Sequence, residues 1–239
     1  MEGKCCSCKE ETTVYTFRKG VPKCPNCVCN QVGKSFMDLF RKGISKITPP
    51  VHVLVAVSGG ASSMFAYDIL NKRIDTTRTS KSSVVKKISA ISSKDLLIEG
   101  LIRIDSFTVK AVCDFAKEND YNCVILGDSS DFISIHALGC MSVGRPDLFP
   151  WISQNDEENY SPVAVLRPAR QCLAKELEFY CQQNGIEFDS TPSPIYEAFS
   201  CEVKMMENIE KDGNEATSFA IQKMAEKLPR VQYSTKCPV

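Results

Sequence analysis

Histidine is nearly missing from this chain: among 239 residues only His52 and His136 carry an imidazole. Neither has an acid or base partner in the pattern around it, so no histidine acid–base pair is expected and both read as structural. Long apolar runs are missing too. None approaches the roughly 20 residues that a helix needs to cross a bilayer. The opening Met1-Glu2-Gly3-Lys4-Cys5-Cys6 reads as neither a signal peptide nor a transit peptide, and the expectation is a soluble cytoplasmic protein. Net charge is absent as well, with 29 Lys+Arg against 29 Asp+Glu. That zero hides an asymmetry. Residues 1–94 hold 16 basic against 6 acidic side chains, and residues 95–239 hold 13 against 23. A basic first part suits a polyanion and an acidic remainder suits a protein partner, although charge runs are also ordinary solvated faces.

Cysteine, by contrast, is plentiful, with 13 in all. A disulfide framework is still not expected. Six lie within the first 29 residues at short spacings, and the other seven scatter, most of them through segments that read as core. The first six include two CxxC pairs, Cys5/Cys8 and Cys24/Cys27, separated by fifteen residues. This is the knuckle spacing of a tetrahedral four-cysteine zinc site, because each knuckle turns two thiolates toward one ion. A hairpin over residues 12–21 would bring the pairs together, and Gly20, Pro22 and Pro25 supply turn chemistry. Cys6 and Cys29 are spare thiols able to substitute. Some twenty residues cannot build a core, so the metal itself would hold such a module together.

The other informative stretch runs from Val53 to Ser63: five apolar, mostly β-branched residues, then Ser58-Gly59-Gly60-Ala61-Ser62-Ser63. A buried strand that turns through two glycines into a helix can hold an oxyanion. The glycines reach backbone angles closed to other residues, and a helix N-terminus presents unpaired N–H donors. The plainer reading is an ordinary strand-to-helix turn.

In order along the chain, residues 31–44 read as an amphipathic helix, and Pro49-Pro50 marks a boundary. After the helix that follows Ser62, residues 71–83 are polar and read as a basic loop without a strand; residues 88–91 read as an edge strand. A helix capped by Ser106 should run to Asn119. Residues 123–126 form a strand ending in Gly127-Asp128. A helix from Ser130 to Val143 should turn Ile133, Ala137, Cys140 and Met141 inward. Residues 163–166 form the next strand, and Arg167-Pro168 should open a helix to Asn184, closed by Gly185. Cys113, Cys123, Cys140, Cys172 and Cys181 fall at core positions. Two further helices are expected near 196–209 and 214–228, packed on the sheet's edge. Strands alternating with helices predict an α/β fold, a parallel sheet with helices on both faces, whose ligands sit at the strands' carboxyl ends. The expected units are residues 1–48 (cysteine module and linking helix), 51–190 (α/β domain) and 191–239 (helical extension). Cys237-Pro238-Val239 looks like the start of a further knuckle.

Ser58-Gly59-Gly60-Ala61-Ser62-Ser63 resembles the SGGxDS loop of the N-type ATP pyrophosphatases, the PP-loop family. With the two knuckles, Leu126-Gly127-Asp128-Ser129, Gly144-Arg145-Pro146, and Leu166-Arg167-Pro168-Ala169-Arg170 before Lys175-Glu176-Leu177-Glu178-Phe179-Tyr180, the chain is similar to the second, non-catalytic subunits of cytosolic tRNA thiouridylases. That resemblance implies a role in 2-thiolation of wobble uridine 34 in tRNAs for Lys, Gln and Glu. It implies a heterodimer with a catalytic subunit, and sulfur carried by a ubiquitin-related modifier. Ser58, Gly59, Gly60, Ser62 and Ser63 become a degenerate nucleotide loop. The basic candidates for tRNA contact are Lys42, Lys46, Lys72, Arg73, Lys86, Lys87, Arg167 and Arg170.

The chain also departs from the family. Ser62 replaces the loop aspartate, which removes a carboxylate expected to help place Mg²⁺–ATP, and Asp128-Ser129-Ser130-Asp131-Phe132 stands where active relatives carry His-x-x-Asp-Asp. The run 71–87 takes the place of a strand and helix that cup adenine. No CxxC pair follows a strand in the main domain. A non-catalytic subunit with a structural zinc and without ATP turnover is therefore expected. The alternatives are an active adenylating tRNA thiolase and a zinc-bearing RNA-binding scaffold.

Overall fold

A computed structural model of the chain describes residues 2–74, 84–155, 160–212, 214 and 216–228. Residues 75–83 of the expected basic loop, and Cys237, lie outside the described residues. The cysteine-rich start forms an antiparallel pair, β1 (Glu2–Lys4) and β2 (Glu11–Thr13). Beyond it Tyr15 and Lys23 exchange backbone hydrogen bonds of 2.8 and 2.9 Å. Helix α1 (Pro25–Ile44) follows directly, with Cys24 as its cap. It starts within the second knuckle rather than at Gln31, because Pro25 has the fixed φ and missing N–H that suit a first turn.

The main sheet is built from β3 (Val51–Ala56), β4 (Val85–Ser92), β5 (Ile102–Arg103), β6 (Cys123–Leu126) and β7 (Ala164–Leu166). All pairings are parallel and the order is β5-β4-β3-β6-β7. Helix α2 (Ala61–Arg73) joins β3 to β4, α3 (Val109–Glu118) joins β5 to β6, and α4 (Ser130–Ser142) and α5 (Phe149–Ser153) join β6 to β7. After β7 come α6 (Ala174–Gln183), α7 (Pro194–Ala198), α8 (Ser200–Lys211) and α9 (Ala216–Lys227).

Alternation decides the two faces. Val53, Val55, Ala90, Cys123 and Ile125 point into a core shared with α1, α2 and α6. Their neighbours Leu54, Ala56, Ile91, Val124 and Leu126 point the other way, against Val112, Cys113 and Ala116 of α3. Strands β3, β6 and β7 are buried on both faces, as continuous apolar runs predict for a parallel sheet. From α1, Val28, Val32, Phe36 and Phe40 enter the first core; the edge of Phe36 meets Phe65, and Phe65 meets Tyr180.

Several expectations need correction. Residues 88–91 belong to an interior strand, since β4 pairs with β3 on one side and β5 on the other. The strand thought to be replaced by the polar run 71–87 is thus present, whereas no helix lies in residues 93–101 between β4 and β5. The strand at that edge is β5, whose two residues are too few to show a period, and β7 forms the other edge. Thr108, not Ser106, caps α3, its side chain accepting from the Ala111 N–H at 3.1 Å. Arg167-Pro168 opens a 3₁₀ turn over Pro168–Gln171, which stops where Cys172 turns extended, before α6 begins. Met141 is exposed. The C-terminal helices pack on α4 and α5, through Ile135, Phe149, Met206 and Ile221, rather than on the sheet's edge.

Candidate functional site

Strand order reverses between β3 and β6. In open parallel sheets the crevice at such a reversal, outside the carboxyl ends of the strands, is where ligands bind. The glycine loop and Gly127-Asp128 both lie there.

Val57 extends the β3 pairing, its N–H donating to the Ile91 carbonyl at 2.9 Å. Gly59 then takes φ +90°, a conformation that L side chains rarely adopt. The Ser63 hydroxyl fastens the turn. It donates to the Gly60 carbonyl at 2.9 Å, accepts from the Ser58 N–H at 3.2 Å, and lies 3.2 Å from the Ser58 hydroxyl. Ser58, Gly60 and Ser63 are thereby brought together. Ser62 is half-buried in the first turn of α2, at the position for which the resemblance predicts an aspartate. The turn offers oriented N–H groups and the positive end of α2, with no carboxylate from the loop itself.

Two residues distant in sequence cross over the loop. Asp189, after α6, donates its N–H to the Gly59 carbonyl at 2.9 Å, and its carboxylate accepts from Lys94 at 2.8 Å. Bonds from Lys94 and Thr191 hold the Asp189 carboxyl well below the usual carboxylate range. A Cβ on Gly59 would sit 3.2 Å from Leu96 and 3.8 Å from Lys94. Nothing local in the sequence signals this strap.

At the end of β6, a Cβ on Gly127 would fall 2.6 Å from the Ser63 Cα and 2.8 Å from the Ser62 carbonyl oxygen. Only glycine lets β6 abut the first turn of α2. Asp128 accepts from the Arg167 guanidinium at 2.9 Å, and Arg167 also donates to the Gln154 carbonyl at 2.7 Å and, through its backbone N–H, to Asn155 at 2.9 Å. With 8% of its surface exposed, Arg167 is engaged inside the protein. Arg170 donates to the Ser153 carbonyl at 3.2 Å.

The exposed basic candidates lie elsewhere. Lys72 and Arg73 end α2, and Lys86 and Lys87 follow Val85 at the start of β4, where Lys87 pairs with His52. Both pairs belong to the amino end of the sheet, away from the glycine loop. Lys72 bridges to Asp68 at 2.9 Å, and Lys87 lies 4.2 Å over the Tyr121 ring. Lys42 and Lys46 are exposed at the end of α1 and just after it.

The four knuckle cysteines converge. The sulfurs of Cys5, Cys8, Cys24 and Cys27 all lie within 4.8 Å of one another, with Cys8 and Cys24 3.8 Å apart. A tetrahedron with metal–sulfur bonds of about 2.3 Å spaces its sulfurs about 3.8 Å apart, so the set fits one metal ion. Cys5 is fully buried and accepts from the Cys24 N–H at 3.3 Å; backbone bonds of this kind, from Cys24 first, lower its pKa to about 6. The Cys24 sulfur and burial push Cys27 up to about 12. Cys6 and Cys29 fall outside the cluster.

The core cysteines are buried as expected, and burial pushes Cys172 and Cys181 up to about 12 and Cys123 higher. That makes Cys123, Cys172 and Cys181 poor nucleophiles, since the thiolate is the reactive form. His52 bonds the Asp120 carbonyl at 2.8 Å. His136 packs between Phe132 and Phe199, and burial lowers its pKa.

No family model matches the chain. Among curated proteins it is similar to cytoplasmic tRNA 2-thiolation protein 2 of Bos taurus, 23% identical over 112 residues, and of Rattus norvegicus, 24% identical over 119 residues. These matches cover 47% and 50% of this chain and 21% of each relative, so the match spans about a fifth of the relatives' length. Among solved structures it is similar to the U34-tRNA thiolase NcsA from Methanococcus maripaludis with its [4Fe-4S] cluster, at TM-score 0.65 and 14% identity, covering 95% of this chain and 88% of that one. The chain shares the fold of that thiolase, a parallel five-stranded sheet with helices, and carries a four-cysteine cluster near its N-terminal end.

Proposed function

We propose that this chain is a supporting subunit in 2-thiolation of wobble uridine 34 in cytosolic tRNAs for Lys, Gln and Glu. It holds tRNA and a catalytic thiouridylase subunit, with sulfur arriving on a ubiquitin-related modifier, and turns over no ATP itself. The names of the curated relatives and the thiolase-like fold support the pathway. The observation that carries the supporting role is the glycine loop. Its turn is intact, yet Ser62 replaces the acid, and Gly59 is capped by Leu96, Lys94 and Asp189. The buried thiols, held protonated, add no sulfur nucleophile.

In this reading zinc occupies Cys5, Cys8, Cys24 and Cys27, as a structural staple. Close packing of the four sulfurs supports one ion over an iron–sulfur cluster, whose several irons spread their thiolates farther apart. Lys42, Lys46, Lys72, Arg73, Lys86 and Lys87 contact phosphate, which positions tRNA without reading its bases. Arg167 and Arg170 have a structural role instead.

Reconstitution tests the proposal. The catalytic subunit, ATP, a thiocarboxylated modifier and tRNA should give wobble 2-thiouridine only when this chain is present, and a Ser58→Ala/Ser63→Ala double variant should still support it. Full thiolation without the chain would sink the supporting role, and loss of thiolation in the double variant would favour an active adenylating enzyme.

A further inference from the structure

The cysteine hairpin carries a basic residue that the proposed function does not use. Arg18 lies between the two knuckles and reaches across to α6. Its guanidinium makes two 2.8 Å bonds to the Glu176 carboxylate and donates to the Gln171 carbonyl at 3.2 Å. It also lies 4.8 Å over the ring of Phe219 in α9. Glu176 is 3% exposed. Its carboxylate accepts from the Leu173 N–H at 3.0 Å and so caps α6. Tyr15 and Phe17 flank Arg18's end of the hairpin and pack on Phe179, with ring centres 4.6 and 5.1 Å away.

The residues that Arg18 grips lead to the crevice. Gln171 ends the 3₁₀ turn that starts at Pro168, next to Arg167 and its bond to Asp128. Ala174, the first residue of α6, donates its N–H to the buried Asp131 at the start of α4, and Ser218 of α9 bonds the same carboxylate at 3.2 Å. One short hairpin therefore touches the segment that frames the crevice and the C-terminal helix together. A hairpin of this size would owe its shape to an ion bound by the four cysteines. A carboxylate as buried as Glu176 is costly to leave unpaired.

We propose that the four-cysteine module is a metal-dependent latch. With its ion bound it holds Arg18 on Glu176 and fixes residues 168–183 and the start of α9; when the ion leaves, Arg18 withdraws and those segments loosen while the sheet stays folded. The latch requires only that the cluster bind a metal, and holds whether or not the chain serves thiolation.

The test is hydrogen exchange of the full chain, followed by mass spectrometry, with metal content measured in the same samples. Removing the metal with a chelator should raise exchange about tenfold or more across residues 168–183 and in the first turns of α9, with α3 unchanged. Arg18→Leu, with metal retained, should reproduce the rise in residues 168–183. Any of four results overturns the latch: no bound metal in the purified chain, a rise confined to residues 2–44, equal opening of α3, or an Arg18→Leu variant whose residues 168–183 exchange as in wild type.

Discussion

Three glycines at the crevice allow the packing to be tested by adding one methyl group at a time. At Gly127 the new Cβ would lie 2.6 and 2.7 Å from the Cα and N of Ser63 and 2.8 Å from the Ser62 oxygen. All three atoms are backbone, in the first turn of a 13-residue helix, so no side chain can swing aside. Carbon contacts relax only near 3.5–4.0 Å, which requires β6 and α2 to part by about 1 Å. Overpacking of that kind costs about 3 kcal/mol. For a chain of this size that is a fall in Tm of about 6–12 °C. Gly59→Ala has room except for Leu96 at 3.2 Å, but takes φ +90°, and a non-glycine there costs about 1–2 kcal/mol. Gly60→Ala has φ −71° and its nearest neighbour at 3.8 Å, so it should be neutral or gain up to about 1 kcal/mol from a stiffer unfolded chain. Calorimetry or urea titration should rank the variants Gly127→Ala, Gly59→Ala, Gly60→Ala from worst to best. A Gly60→Ala loss as large as that of Gly127→Ala would refute the geometry.

Other outcomes follow from charge. Burial raises the Asp131 pKa to about 6, above its unfolded value, so its ionisation opposes folding; stability from this group is highest below about pH 4 and declines as pH rises to about 6, by up to about 3 kcal/mol. Asp131→Asn should flatten that slope in urea midpoints taken at pH 4 to 7, and an unchanged slope would refute the assignment. Arg167→Met leaves Asp128 without its guanidinium and should cost about 2–4 kcal/mol, read by the same titration; a change under about 0.5 kcal/mol would mean that solvent replaces the pair. tRNA affinity should fall about 10³-fold between 50 and 200 mM salt if six phosphates are contacted, and a Lys72→Ala/Lys86→Ala/Lys87→Ala variant should lower the slope of log affinity against log salt by about 2–3. A slope unchanged by the variant would move the tRNA surface elsewhere.

Much of the sheet was legible because its central strands are uninterrupted apolar runs closed by glycine: Val53 to Val57 before Gly59, and Cys123 to Leu126 before Gly127. The paired CxxC spacing likewise foretold the convergence of Cys5, Cys8, Cys24 and Cys27, since backbone knuckles are local. What escaped is what the chain settles at a distance. Exposed Lys86 and Lys87 interrupt β4 after Val85, so only its later, more buried half was read, and as an edge. β5 has too few residues for any pattern. Thr108 and Ser106 are both good caps, and packing of Val112 and Ala116 against the sheet selects the first. Arg167 looked like a tRNA contact because nothing in sequence announces Gln154, Asn155 and Asp128 around it. The Lys94–Asp189 strap and the Arg18–Glu176 clasp join residues 95 and 158 positions apart, beyond any local rule. The course of the glycine loop from strand to helix was legible; its cover by Lys94, Leu96 and Asp189 was not.

The proposed supporting role requires a glycine loop that keeps its fold without turning over ATP. Pyrophosphate release by the purified chain alone, with Mg²⁺–ATP and unmodified tRNA, tests it most directly. No release above the protein-free control is predicted, whatever the tRNA concentration; repeated, tRNA-dependent turnover that Ser58→Ala/Ser63→Ala abolishes would contradict it.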